Sequence, residues 1–148
     1  MSAQNYPTAN LLRRLAALVY DGLIVIALYI AVGFVVVGLL KASTGEFPGA
    51  LPWSVSASLL FTVSFLYYSH SWRKGGQTVG MKAWRIRLIS EEKGPVRLSQ
   101  CMLRSGIGFF SLLAAGLGYW WMLFDKRQRT WHDMASLTRV VFLPKNMD

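Results

Sequence analysis

The longest apolar stretch of the chain covers residues 15–40 and contains a single charge, Asp21. A run of this length predicts a membrane-spanning helix, because about 20 apolar residues cross the hydrocarbon core of a bilayer. A second apolar run, residues 52–69, has aromatic side chains at both ends, as expected at the two membrane–water interfaces. The pattern therefore predicts two spans joined by a short connection over residues 41–51.

One face of the second predicted span carries a small hydroxyl residue at every fourth position. These residues are Ser54, Ser58 and Thr62. Small residues at this spacing let helix backbones approach closely, so we expect this face to pack on the first span. A polar permeation path along the same face is the alternative.

A third apolar run, residues 105–124, has the length of a span but is interrupted by Gly116 and Gly118. A complete crossing would place the basic C-terminal segment outside, against the positive-inside rule. A re-entrant helical hairpin would return the tail to the cytoplasm, since broken backbone at membrane depth is tolerated when protein buries it. The pattern leaves both arrangements open: three full spans, or two spans and a hairpin.

Basic residues concentrate in the loop between the second and third apolar runs. Residues 70–104 hold half of the chain's 16 Lys and Arg residues. By the positive-inside rule this loop and the N-terminus are cytoplasmic, which predicts a multi-pass protein of the plasma (inner) membrane. We therefore attribute the net charge of +9 to residues that orient the protein in the membrane and contact anionic lipid headgroups. Nucleic acid is not an expected partner.

Inside this loop the pattern changes to the alternation typical of β-strands. Residues 84–88 alternate apolar and basic side chains, and residues 96–98 resume the alternation after turn residues 94–95, which predicts a short hairpin. Ser99 is the expected cap of the next helix. Residues 138–143 form another β-rich run. The predicted fold class is a mainly α membrane protein, with a bundle of two to three transmembrane segments and a small cytoplasmic β element.

A single membrane domain is predicted over residues 11–144, after a flexible N-terminus over residues 1–10. Its last segment covers residues 125–143. Cys101 is the chain's only cysteine, so an intrachain disulfide and a thiolate zinc site are excluded. Neither a metal nor a cofactor is expected.

Asp21 needs a stabilising partner, because a carboxylate inside a membrane helix costs roughly 2.5–3.5 kcal/mol on insertion scales. Arg14 lies about 10.5 Å away along the helix axis, too far for direct pairing. We therefore expect a partner on another segment, Arg104 first and His70 second. A buried ion pair between helices is favoured over a protonatable or cation-binding carboxylate in a transport path.

Two polar stretches have conservative interpretations. The stretch from Gly75 to Lys82 lacks the spacing of a phosphate-binding loop and predicts a tight turn. Thr130 and Asp133 have capping-box spacing and predict the start of a helix. His132 stands beside Asp133, but adjacent residues point apart on a helix, so they do not indicate acid–base catalysis.

Three blocks, in order along the chain, together resemble the RDD family of small membrane proteins, named for one arginine and two aspartates. The blocks are residues 14–21, residues 76–82 continuing into 85–88, and residues 124–133 followed by 138–141. The resemblance covers about residues 9–144. Met81 stands where the family often has Lys or Arg, although Lys82 keeps the charge.

The resemblance implies which residues form the family motif. Arg14 and Asp21 lie in the first block, and Asp133 is assigned as the second aspartate, with Asp125 as the alternative. The candidate site comprises the motif and buried polar network Arg14, Asp21 and Asp133, the secondary candidates Arg104, Asp125 and His132, and the loop turn Gly76, Gln77, Thr78 and Gly80.

Two functions follow as expectations. The first is a scaffold or accessory membrane subunit held together by the Arg/Asp network. The second is a cation/proton antiporter, a role proposed for some RDD proteins, with Asp21 binding the proton or monovalent cation. Two or three spans are too few to enclose a gated path, so an antiporter would need a homo-oligomer or a larger complex. No catalytic set is recognised, so an enzyme is not expected.

Overall fold

The computed structural model describes residues 6–92 and 94–144, which are mostly helical with one small sheet. The elements in chain order are α1 Leu11–Thr44, α2 Trp53–Gly75, α3 Val79–Ala83, β1 Ile86–Ser90, α4 Leu98–Leu113, α5 Leu117–Trp120, a 3-10 helix Trp121–Leu123, α6 Trp131–Ser136 and β2 Thr138–Phe142.

Helix α1 contains the first predicted span and extends beyond it at both ends. The Asn10 side chain accepts a hydrogen bond from the Arg13 amide at 3.1 Å and caps its start, and Gly45 ends it with a φ of 80°. Within the described residues, α1 is the one helix that is long and apolar enough by itself to cross a membrane. An apolar helix near the N-terminus is therefore confirmed, and the number of crossings stays a prediction.

Helix α2 covers the second predicted span from residue 53 onward but does not meet the same criterion of apolarity. The hydroxyl stripe of Ser54, Ser58 and Thr62 is exposed, whereas Val63 and Ser69 are the buried side chains of α2. The expectation that the stripe packs on α1 is wrong. Thr62 donates to the Ser58 carbonyl at 2.7 Å, so its hydroxyl is satisfied within its own helix.

The small sheet pairs two segments that are far apart in sequence. Strands β1 and β2 are antiparallel, with Ile86 opposite Phe142 and Ser90 opposite Thr138. The predicted hairpin between residues 84–88 and 96–98 is wrong, because β1 takes β2 as its partner.

Helix α4 begins directly where the second strand of that hairpin was expected. Arg97, not Ser99, is its cap, and the Arg97 amide donates to the Gln100 side chain at 3.0 Å. Val96 is buried ahead of the helix without forming a strand. The turn chemistry around Gly94 thus leads from β1 into a helix.

The end of the predicted flexible N-terminus is attached to the sheet. Thr8 bridges Val141, and the Ala9 amide donates to the Val140 carbonyl at 2.9 Å. Residues 8–9 thus have fixed backbone partners, flexibility of the N-terminus stays a prediction, and residues 1–5 lie outside the described part of the chain. The main hydrophobic core of the described residues includes Ala9 from this attached segment. It comprises Ala9, Ala17, Met81, Ile86, Leu88, Val96, Cys101 and Val140.

The third apolar run is broken, as its two glycines predict. Helix α4 ends at Leu113, Gly116 has a φ of 76°, and the helical segment 117–123 is bent by 105° from α4. A Cβ on Gly118 would lie under 3.0 Å from the Ser111 hydroxyl, so glycine allows the two arms to approach. The run is consequently not one straight helix.

Candidate functional site: two buried carboxylates

Asp133 is placed by the start of α6. The Asp133 amide donates to the Thr130 hydroxyl at 3.3 Å, and the Thr130 amide donates to an Asp133 carboxylate oxygen at 3.2 Å. This reciprocal pair confirms the predicted capping box. The cap fixes the carboxylate in the protein interior, where Asp133 is 1% exposed.

Two arginines from distant parts of the chain bind this one carboxylate. Arg14 on α1 donates from Nη1 to Oδ2, and Arg104 on α4 donates from Nη1 to Oδ1 at 2.5 Å. Arg14 also donates to the Ala9 carbonyl at 3.1 Å, and Arg104 to the Thr138 hydroxyl at 3.0 Å. We call Arg14, Arg104 and Asp133 the arginine clamp. It connects α1, α4, α6 and β2.

The clamp keeps Asp133 ionised. Burial alone would raise the pKa of this carboxyl, but the Arg104 and Arg14 guanidinium groups hold the pKa well below its usual range. The neighbouring His132 is 3% exposed, and burial lowers its pKa to about 3. Its imidazole is therefore neutral at neutral pH.

Asp21 is buried at a separate place, where it is bound entirely by neutral donors. The Tyr67 hydroxyl donates to it at 2.8 Å, the Thr78 hydroxyl at 2.5 Å and the Gly80 amide at 2.9 Å. Asp21 is 2% exposed. The prediction that Arg104 pairs with Asp21 is wrong, because the Arg104 side chain binds Asp133 instead. The alternative prediction, that His70 pairs with Asp21, is also wrong, because His70 is exposed.

The loop after α2 brings these donors to Asp21. Gly76 ends α2 with a φ of 70°, and the Gln77 side chain donates to the Ile86 carbonyl at 2.8 Å. Thr78 accepts from the Met81 amide at 3.1 Å and so caps α3. The predicted turn is present, but its role in binding Asp21 was not recognised from sequence.

Gly80 lies against α1 with no room for a side chain. A Cβ there would lie under 3.0 Å from the Ala17 carbonyl oxygen and 2.9 Å from Asp21 Cγ. The absence of a side chain lets the Gly80 amide reach the carboxylate. Sequence reasoning also missed Tyr67, which was assigned to the interfacial aromatics.

Asp125 does not join either carboxylate site. It accepts from the Arg129 amide at 2.9 Å and pairs with the Arg129 guanidinium at 3.2 Å, close to the surface. Of the two candidates for the second motif aspartate, Asp133 is the one that contacts Arg14.

A cavity of about 60 Å³ lies between the two carboxylate sites. Asp21, Arg14, Arg104 and His132 are among its lining residues. Within the described residues, no group of three or more His, Cys, Asp or Glu side chains could hold a metal ion. The chemistry available here is that of two buried carboxylates, one held by charged donors and the other by neutral ones.

Comparison of the sequence with protein families identifies one match. The sequence model of the RDD family matches residues 8–136, which include Arg14, Asp21, Arg104 and Asp133. No curated protein and no solved structure matches the chain.

Proposed function

The chain belongs to the RDD family, and from this premise we propose that it is an integral inner-membrane scaffold or accessory subunit without catalytic activity of its own. The observation that carries this proposal is that each buried carboxylate binds side chains from several elements and holds them together. Asp133 binds arginines from α1 and α4, and Asp21 binds donors from α2 and the α3 region.

The bonding of Asp21 supports a structural role for this carboxylate. Three donors point at the carboxylate, and each hydrogen bond to a charged group contributes about 1.5–3 kcal/mol. Because the donors come from α2 and from the start of α3, these bonds hold α1 against both elements.

The sheet supports a topology in which three parts of the chain lie on one side of the membrane. Residues 8–9 bond to β2, and β2 pairs with β1. An even number of crossings must then separate these parts. Helices α1 and α2 supply two crossings before β1, and α4 with residues 117–123 enters and leaves on the same side as a re-entrant hairpin. The basic loop assigns that side to the cytoplasm, facing anionic headgroups.

Single-cysteine labelling tests this topology on a Cys101→Ser background. With an impermeant maleimide on right-side-out vesicles, we expect Glu46→Cys to label directly and Lys126→Cys to label only after permeabilisation. Both native positions are exposed. Direct labelling at position 126 would contradict the hairpin and favour a complete third span.

A cation/proton antiporter is the second candidate, because Asp21 lines the 60 Å³ cavity and could there meet a proton or monovalent cation. Two crossings cannot enclose a gated path, so this candidate requires a homo-oligomer or a larger membrane complex.

Replacing Asp21 by Asn separates the two functions. In Asp21→Asn the side-chain NH₂ group, itself a donor, would face one of the donors that bind the carboxylate in the wild type. The scaffold role therefore predicts a loss of about 1–3 kcal/mol of unfolding free energy. It also predicts that the wild-type protein in vesicles moves no protons, read with a pH-sensitive dye, when Na⁺ or K⁺ is added.

The control for this experiment is Asp125→Asn, which removes a carboxylate near the surface and outside both sites. Cation-driven proton movement by the wild type that is lost in Asp21→Asn and kept in Asp125→Asn would overturn the scaffold proposal in favour of the antiporter.

A further inference from the structure

Helix α1 is longer than one membrane crossing requires. Its 34 residues measure roughly 51 Å at 1.5 Å per residue, whereas about 20 residues cross the hydrocarbon core. Residues 22–40 form a stretch of close to that length without a charged side chain. In the proposed topology, residues 11–21 of α1 therefore lie at the cytoplasmic boundary of the bilayer.

The short helix α3 lies at the same boundary. Its Gly80 amide donates to Asp21 at 2.9 Å, so α3 packs beside residues 17–21 of α1. Lys82 on α3 is exposed, and an exposed cation avoids hydrocarbon. The position of Lys82 thus agrees with the length of α1 and places this part of the protein among lipid headgroups.

Three cations lie around the turn that joins α3 to β1. Arg13 donates from Nη1 to the Trp84 carbonyl at 3.3 Å, and its guanidinium lies 4.2 Å from the centre of the Phe142 ring. The Arg85 amide donates to the Lys82 carbonyl at 3.1 Å. We call Arg13, Lys82 and Arg85 the basic cluster.

The basic cluster has an uncompensated positive charge. Within residues 6–92 and 94–144, none of its members forms an ion pair. Three cations against the one carboxylate of Asp21 leave two positive charges. The other described acidic residues pair with other arginines, or follow the opposite end of β1 or the far end of α1; they are Glu92, Asp125, Asp133, Glu91 and Glu46.

The backbone at Arg85 is strained. Its φ of 53° lies in the left-handed region, which glycine adopts at little cost and other residues rarely adopt. Strained residues of this kind are concentrated at functional sites. The turn by itself would suit glycine, so the arginine at this position points to a use for its side chain.

Exposed apolar side chains lie beside these cations. Leu12, next to Arg13, is 76% exposed, and Val79 is 55% exposed. Val79 and Lys82 are three residues apart and so share one face of α3. Cations with apolar neighbours match a molecule that has both an anionic headgroup and acyl chains, whereas a free phosphate ion would use the cations alone.

We infer that the basic cluster binds the phosphate of one anionic phospholipid, whose acyl chains lie against Leu12 and Val79. The choice of the cytoplasmic leaflet rests on the proposed topology, which the cysteine labelling tests separately. Binding of the lipid in detergent requires neither that topology nor the scaffold function, so failure of one is distinguishable from failure of the other.

Titration of the purified full-length protein with phosphatidylglycerol in a neutral detergent tests the inference. We expect the thermal midpoint to rise and to saturate, since a ligand that binds only the folded state stabilises it. Phosphatidylcholine with the same acyl chains should give a smaller shift, because its choline group compensates its phosphate. Inorganic phosphate at constant ionic strength should give none. Native mass spectrometry should detect one retained phosphatidylglycerol.

The double variant Lys82→Gln with Arg85→Gln should weaken the apparent affinity for phosphatidylglycerol about thirtyfold, because two basic contacts with the headgroup are lost. The matched control is Lys126→Gln with Arg127→Gln. It also removes one lysine and one arginine, both exposed and outside the cluster, and should keep the wild-type affinity.

Arg85→Gly separates lipid binding from stability. Because glycine relieves the left-handed strain, the variant without lipid should have a thermal midpoint equal to or above that of the wild type. Its affinity for phosphatidylglycerol should nevertheless fall about fivefold, since one basic contact is lost.

Four results would overturn the inference. Equal stabilisation by phosphatidylcholine would show that the charge of the headgroup is not recognised. An equal effect of inorganic phosphate would assign the cluster to a free anion. Equal losses in the two double variants would show only a diffuse attraction to the charge of the whole protein. Wild-type affinity in Arg85→Gly would exclude that side chain from the site.

Discussion

Replacing Asp133 by Asn is expected to lower the unfolding free energy by about 3–5 kcal/mol, because it leaves two buried guanidinium groups without a counter-charge. Arg14 and Arg104 are both buried, and both bind this carboxylate. A typical domain has only about 5–15 kcal/mol of stability, so this loss is a large share of the total. Denaturant unfolding in detergent, followed by circular dichroism, measures the loss.

Asp125→Asn is the control for this prediction, since Asp125 pairs with Arg129 near the surface, and its midpoint should match the wild type. Adding Arg104→Gln to Asp133→Asn should cost less than the sum of the two single changes, because it removes one of the stranded charges. Strictly additive losses would show that Arg104 and Asp133 are not coupled, and would contradict the arginine clamp.

The sequence predicts the local part of this clamp well. The spacing of Thr130 and Asp133 predicts the capping box, because the box depends only on residues three positions apart. The contact of Arg14 with Asp133 joins opposite ends of the chain, and no local pattern carries that information. The family resemblance selected both residues, and the structure supplied their contact.

The partner of Asp21 could not be predicted by matching charges. A search for an opposite charge selects Arg104, whereas the structure uses a phenol, an alcohol and a backbone amide. The amide of Gly80 has no signature in a sequence, since every residue except proline has an N–H group. Its use depends on how closely α3 approaches α1, which is a property of the fold.

The prediction of strand pairing was wrong for a related reason. Turn residues 94–95 favour a local hairpin, and residues 96–98 have a compatible alternation. Pairing β1 with β2 instead buries Ile86, Leu88 and Val140 in one core, a gain that only the three-dimensional arrangement reveals. The break in the third apolar run was predictable, because glycine at positions 116 and 118 is itself a local signal.

The second large effect is expected for Gly80→Ala, which adds one methyl group where α3 meets α1. The new Cβ would lie under 3.0 Å from the Ala17 carbonyl oxygen and 2.9 Å from Asp21 Cγ. Because the first of these atoms belongs to the α1 backbone, relief requires moving α3 and lengthening the bond from the Gly80 amide to Asp21. Overpacking alone costs about 1–3 kcal/mol, and a weakened bond to a charged group adds about 1.5–3 kcal/mol.

Gly22→Ala is the matched control, because it adds the same methyl group one residue from Asp21, where a Cβ would have no neighbour within 4 Å. Alanine is favoured over glycine inside a helix by about 0.8–1.0 kcal/mol, so this variant should be as stable as the wild type or more stable. Unfolding midpoints of both variants, measured in one detergent, make the comparison. A Gly80→Ala midpoint equal to that of Gly22→Ala would contradict the close approach of α3 to α1. The Gly80 amide could then not be the donor that helps to keep the Asp21 carboxylate buried.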